Sequence, residues 1–225
     1  MEIKLLSKLS RDYVEQLLSG IPFFKLVKQQ DAWQFELLLQ SSRIITYLPG
    51  EIVLQRGDYD KWLFFLLKGR LAVYVDDPLK GELVNYVTPG EVFGDLAQLM
   101  GQPRTATVLA EPSYRESIVL ATDASIFGDI NSTRPITIQT KLAYYRNTVH
   151  NLRWKLEVYR SQHLQHQLAN KHRLVKLYTG VKDTHEELRA LHEQAQALAS
   201  LLLEWNREFG ALAEPSTPPG DIFEL

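Results

Sequence analysis

The chain of 225 residues contains no cysteine and two methionines. The first absence excludes disulfides, thiolate nucleophiles and cysteine-ligated metal centres, and it suits a reducing compartment. No uncharged apolar run approaches the roughly 18 residues that a membrane-spanning helix needs. The N-terminal stretch MEIKLLSKLSRDYVEQLL is charged throughout, unlike the apolar core of a signal peptide. A soluble, cytoplasmic protein is the expectation. Catalytic patterns are lacking as well. The sequence offers no placeable nucleophile–base pairing, no paired carboxylates in a cleft and no metal-ligand spacing, which argues against an enzyme and against a metal site. The six histidines could suggest a metal or a pH switch. Three of them, His163, His166 and His172, fall in a glutamine-rich polar stretch with only Glu157 nearby, which reads as solvated or interfacial instead.

Net charge is also small, at −2, but it is unevenly placed. Residues 1–133 carry 13 Lys+Arg against 17 Asp+Glu. Residues 134–182 carry 10 Lys+Arg against Glu157 alone, and residues 183–225 carry 2 against 9 acids. The basic block could attract nucleic acid electrostatically. Alternatively the acidic block folds back on it, within the chain or across subunits, as a helical hairpin about Gly180 would allow.

Periodicity separates three parts. Ser10 can cap a short helix through Leu18, ended by Gly20-Ile21-Pro22, and a second helical stretch begins at Asp31. From Ile44 the pattern becomes short β-branched and aromatic runs. Turn residues at Pro49-Gly50, Gly57-Asp58, Gly69, Asp76-Asp77-Pro78 and Pro89-Gly90 punctuate them. TATVLA and YRESIVLA add two strands, and TDASIFGDI reads as a short helix. The fold class is α+β: an antiparallel β-roll of the jelly-roll type with flanking short helices, then a long helix and a C-terminal helix. Pro135 fits the first turn of that long helix. Beyond it Ile138, Leu142, Tyr145, Val149, Leu152, Leu156 and Tyr159 alternate steps of four and three, a heptad seam. The seam could pack on the roll, form a dimer interface, or do both. Thr184-His185-Glu186-Glu187 fits a capping box opening a helix whose apolar face is Leu188, Leu191, Ala195, Leu198, Leu202 and Trp205. The expected divisions are 1–133 (roll with N-terminal helices), 134–179 (basic dimerisation helix), 180–210 (acidic helix) and 211–225 (a disordered proline-rich tail). The end of that tail, DIFEL, could be a docking peptide.

One stretch concentrates unusual chemistry: FGDLAQLMGQPRTATV, residues 93–108. A glycine, an acid and an arginine lie close together in apolar surroundings, where a charge is costly unless paired or bound to a ligand. Gly94 allows close backbone approach. The turn after it presents N–H groups that favour an anion. Arg104 supplies a planar fork for two phosphate oxygens. Asp95 accepts a hydroxyl, Thr105 adds another polar group, and Leu96 with Ala97 forms an apolar wall. These features describe a pocket for a phosphorylated sugar, and the bland alternative is that Arg104 and Asp95 pair with each other or with neighbours.

The pattern Phe93-Gly94-Asp95-Leu96-Ala97, a loop, then Arg104-Thr105-Ala106 resembles the phosphate-binding cassette of cyclic nucleotide-binding domains. LPGEIVLQRGD (48–58) and FFLLKGRLAVYV (64–75) resemble the same family's roll turns and strands, and the likeness to the CRP–FNR type of bacterial regulator extends over about residues 10–170. The resemblance implies cyclic AMP or cyclic GMP as ligand. Arg104 would hold the cyclic phosphate with Thr105 and the N–H groups at Leu96, Ala97 and Ala106. Asp95 would take the ribose 2′-hydroxyl. The base would lie against Val73 and Val84 and be covered by the long helix near Thr148 and Asn151. It also implies a parallel two-helix homodimer along the seam and a protein partner reached through the C-terminal helices or tail. Two departures stand out. The family carries glutamate where this chain has Asp95, and no helix-turn-helix pattern follows the long helix, so DNA binding of the usual type is not carried over. An atypical regulator using the basic helix and a ligand-free scaffold are the alternatives. Thr105 is associated with guanine in some members.

Overall fold

The computed structural model describes residues 1–75 and 83–209. Its centre is two antiparallel sheets built from β1 (Glu2–Leu5), β2 (Ser42–Tyr47), β3 (Ile52–Leu54), β4 (Trp62–Lys68), β5 (Leu71–Tyr74), β6 (Leu83–Val87), β7 (Val92–Phe93), β8 (Thr107–Ala110) and β9 (Ser117–Asp123). One sheet runs β1-β2-β9-β4-β7 and the other β3-β8-β5-β6. Period-2 alternation lets each sheet turn an apolar face inward. Leu66, Leu71, Val119 and Ala121 are fully buried between the sheets, with Ile45, Phe64 and Val108 beside them. The antiparallel roll with flanking helices expected from the sequence is therefore the observed architecture. The expected turn at Asp76-Asp77-Pro78 lies outside the described residues.

A second core lies under the helices α1 (Arg11–Leu18), α2 (Pro22–Gln30) and α3 (Ala32–Gln40). Phe23, Phe24, Phe35 and Phe65 meet there edge-on and stacked, at centroid separations of 5.1–6.4 Å. Asp31 caps α3 by accepting from the backbone N–H groups of Trp33 and Gln34. Ser10 occupies the cap position of α1, but its hydroxyl makes no capping bond. α2 and β1 were not expected. Gly20-Ile21-Pro22 does end α1, yet the same proline opens α2 at its first turn, where a missing N–H costs nothing.

The C-terminal part is a hairpin. α5 spans Ile138–Gln162 and α6 spans His185–Phe209. Between them runs an irregular segment with one 3-10 turn, Lys171–Leu174. The expectation of a helix unbroken to residue 179 is corrected: α5 stops at Gln162, 17 residues earlier. Arg153 compensates by donating to the carbonyls of His172 and Val175, and Glu157 holds His172 and Arg173 at 2.7 Å each. Pro135 is also displaced from its expected role. It follows a cis peptide bond, and Thr137 caps α5 instead. At the other helix, Thr184 accepts from the Glu187 N–H at 3.2 Å, while the Glu187 carboxylate reaches back to the Asp183 N–H at 2.6 Å.

α6 folds back on α5 within the chain. Leu142, Val149, Leu152, Leu156 and Tyr159 of the seam are buried against Leu188, Leu191, Ala195, Leu198, Leu202 and Trp205. Charge follows the same plan: Arg146 pairs with Glu187 and Asp183, and Lys171 with Glu204. The seam expected to meet a second copy is thus covered in cis. No described helix is long and apolar enough to cross a membrane. The tail 211–225, with its expected disorder and docking peptide, lies outside the described residues.

Candidate ligand-binding site

Where the first sheet hands over to the second, β7 ends and Gly94 turns the chain into a short helix, α4 (Asp95–Met100). Gly94 sits at φ +78°, a left-handed conformation that side-chain-bearing residues rarely adopt. A Cβ there would lie 2.7 Å from the Arg104 Nη1 and 3.2 Å from the Phe64 ring. Glycine is required on both counts, because the arginine passes directly beneath it.

Arg104 is 3% exposed. Its Nε donates to Asp60 Oδ2 at 3.0 Å, and its Nη2 donates to Asp60 Oδ1 and to the Trp62 carbonyl. Nη1 donates to the Gly94 carbonyl, and the guanidinium lies 5.5 Å from the Phe64 ring centre. Four of its five N–H donors are therefore engaged, leaving one on Nη1. Asp60 is itself held by the Trp62 N–H at 2.8 Å. Partial burial pushes its pKa up, but the guanidinium and that N–H outweigh the burial and the net shift is downward. Two backbone bonds fix the arginine's own position: its N–H donates to the Asp58 carbonyl, and its carbonyl accepts from Gly57.

Asp95 differs from Arg104 in its partners. It is 2% exposed, and one carboxylate oxygen, Oδ2, has no hydrogen-bond partner. Burial raises its pKa, opposed first by Lys155, then by the N–H groups of Asp95 and Leu96, and least by Arg104. An unsatisfied buried carboxylate oxygen calls for a donor that none of the described residues supplies.

The two charges face a cavity of about 90 Å³. Gly94, Asp95, Leu96, Ala97, Arg104, Thr105 and Ala106 line it from the cassette, and Val73 and Val84 from the second sheet. Sequence reasoning placed these residues together, and the structure brings them together. It does not bring Thr148 and Asn151 to the cavity. The cover is supplied by Lys155 and Tyr159, further along α5, and by Leu202 and Asn206 of α6. Lys155 lies seven residues past Thr148, roughly 10 Å along the axis at 1.5 Å per residue. The first turns of α5 are spent crossing the other core, where Ala143 and Tyr144 are buried. The helix therefore reaches the cavity two turns later than expected.

Sequence reasoning also missed Asp60, 44 positions before Arg104 in the chain. Its signal was weak, because nothing in QRGDYDKW distinguishes Asp60 from Asp58. Lys155 could have been found as the cation flanking the seam position Leu156, and Tyr159 was already on the seam.

Comparison with known proteins bears on the cassette directly. Residues 44–132 match the family model described as cyclic nucleotide-binding domain. The cGMP-dependent protein kinase of Plasmodium berghei (strain Anka) is 32% identical over 78 residues, 35% of this chain and 9% of the kinase. The cAMP-dependent protein kinase type II regulatory subunit of Drosophila melanogaster is 27% identical over 100 residues, 44% of this chain and 26% of that protein. The chain thus spans about a tenth to a quarter of these relatives' length. Among solved structures, the regulatory domain of Toxoplasma gondii PKA with cAMP aligns with a TM-score of 0.43 at 18% identity, covering 52% of this chain and 43% of that one. The sensor domain of the transcriptional regulator DNR from Pseudomonas aeruginosa aligns with 0.42 at 19% identity, covering 51% and 73%. Among the described residues no helix-turn-helix follows α5; the elements there are the 3-10 turn and α6. The cassette and most of the roll fall inside the matched segment, so residues 44–132 are similar to the cyclic nucleotide-binding domain.

Proposed function

We propose that this chain is a cyclic mononucleotide sensor that binds cyclic AMP or cyclic GMP at the cassette and signals through α5 and α6 to a protein partner. The observation that carries the reading is the unpartnered Oδ2 of buried Asp95, which shares a cavity with the buried Arg104 guanidinium inside the family-matched segment. A ribose 2′-hydroxyl donates to that oxygen. The cyclic phosphate takes the remaining Nη1 donor and the charge of Arg104, with Thr105 beside it. Val73 and Val84 offer an apolar surface to the base. A ligand supplies the donor that Asp95 Oδ2 lacks, so binding is linked to the conformation of the elements that enclose the cavity.

The hairpin supports an output by protein contact rather than through nucleic acid. Lys141, Arg146, Arg153, Arg160, Lys171 and Arg173 of the basic block are all engaged within the chain. A homodimer through the seam would require α6 to leave it.

The ligand-free scaffold is favoured by one observation, the near-saturation of Arg104 by Asp60, Trp62 and Gly94. Titration calorimetry with cyclic AMP and cyclic GMP separates the two. The sensor reading expects the wild type to bind and Arg104→Ala to lose binding, whereas the scaffold expects no binding by either protein.

A further inference from the structure

Away from the ligand cavity, the irregular segment that joins α5 to α6 carries apolar side chains that nothing in the chain covers. Leu174, Leu177 and Val181 are 68–79% exposed. Trp154, also exposed, lies on α5 three positions before Glu157, so the two share a helix face. Glu157 in turn holds Arg173, the neighbour of Leu174, at 2.7 Å. The Tyr178 hydroxyl donates to the Val181 carbonyl at 2.9 Å and ties the far end of the segment. Apolar side chains grouped at one corner and rimmed by polar ones mark an interaction surface, whereas scattered single ones do not.

The rim of this corner is positively charged. Lys176 and Lys182 are exposed and pair with no carboxylate among the described residues. Arg173 keeps half of its side chain in solvent although Glu157 engages it. The nearby acids are already taken: Glu157 by Arg160 and Arg173, and Asp183 by Arg146. Glu193 lines the groove beneath the segment, which directs an anionic partner to the segment's outer side. In LVKLYTGVK, residues 174–182, each lysine directly adjoins an apolar side chain, so both reach the same surface together. Lysines beside short apolar tips and an indole are the composition of a membrane-interface contact. The ammonium groups meet anionic head groups while the ring sits at head-group depth. The main chain of 176–180 belongs to no helix or strand and makes no main-chain hydrogen bond among the described residues. Such a backbone cannot enter hydrocarbon, which limits the contact to side chains at the interface.

We infer that this corner of the hairpin docks on an anionic lipid surface: Trp154, Leu174, Leu177 and Val181 enter the interface, and Arg173, Lys176 and Lys182 meet the head groups. The inference does not depend on cyclic nucleotide binding. The test is sedimentation of the full chain with vesicles of phosphatidylcholine alone and of phosphatidylcholine mixed with phosphatidylserine. Wild type is expected to bind the mixed vesicles, less so as salt rises, and to leave the neutral ones unbound. Lys176→Gln combined with Lys182→Gln should weaken binding roughly fivefold per lysine. Leu174→Ser combined with Leu177→Ser should weaken it at least about tenfold. All four side chains are exposed, so the melting temperature should stay at the wild-type value. Absence of binding to the mixed vesicles overturns the inference, as does equal binding to the neutral ones. Binding that either double variant retains in full overturns it too, because another surface then makes the contact. Fluorescence gives a check independent of those variants. Brominated acyl chains in the mixed vesicles should quench the wild type and lose that quenching in Trp154→Phe; quenching equal in the two proteins contradicts the inference.

Discussion

The cavity's floor and roof are made in different ways. The floor is nearly contiguous: seven of its residues fall between positions 94 and 106, and Gly94, Asp95 and Arg104 meet through one turn and one loop. The roof comes from Lys155, Tyr159, Leu202 and Asn206, brought in by the register of two helices that first bury each other. The floor's geometry is thus local and resists change elsewhere, whereas the roof stands or falls with the packing of α5 against α6.

The largest effect should come from breaking the floor at its charge pair. Arg104→Ala leaves Asp60 without its partner and loses nucleotide binding. It destabilises the chain by about 3 kcal/mol, the low end for a broken buried ion pair because Asp60 retains contact with water. Denaturant titration measures the second effect. Breaking the roof is expected to be comparable in stability but different in place. Trp205→Ala removes a side chain that is 1% exposed, at a cost of about 3 kcal/mol. Hydrogen exchange should then accelerate in α6 while the β4–β9 ladder stays protected.

Smaller perturbations sharpen the contrast. Gly94→Ala forces a side chain into a left-handed conformation and against Arg104, costing about 1–3 kcal/mol. Its binding defect should exceed that of any alanine substitution in the roof. Asp95→Asn should do the reverse of Gly94→Ala for stability. The folded pKa of Asp95 lies above its ordinary 3.8, so the stability tied to this group is fully present below the unfolded value and is lost as pH rises from there through the folded one. Asparagine removes that loss, and the unliganded variant should melt at a higher temperature than wild type at pH 7, with weaker ligand binding.

The smallest effect is predicted beside the roof. Glu157, gripped by Arg160, Arg173 and His172, is held down to about 2 from 4.5. Its contribution is present above the unfolded value and is lost as pH falls from about 4.5 towards 2. Exchange in the segment 163–184 should rise over that window, and Glu157→Gln should abolish the step.

The same division governs what the sequence makes legible. The roll, the cassette and the two apolar wall residues are readable because each depends on short-range pattern: period-2 strands, turn glycines, and a motif of known spacing. The fold-back of the acidic helix was readable as an alternative from charge blocks alone. Asp60 was not, since pairing across 44 positions depends on the β3–β4 turn lying under Arg104. Nor was the true roof. The sequence shows which face of α5 is apolar but not how many turns pass before it meets the cavity, and a two-turn error replaced Lys155 and Tyr159 by Thr148 and Asn151. α5 ends at Gln162 because tertiary partners, Arg153 and Glu157, satisfy the irregular segment that follows, a cause no local propensity contains.

Calorimetric titration of the wild-type chain with cyclic AMP and cyclic GMP is the decisive measurement. A cyclic nucleotide sensor shows saturable one-to-one binding of at least one of them, lost in Arg104→Ala; no binding of either by the intact, folded wild type would overturn the sensor reading.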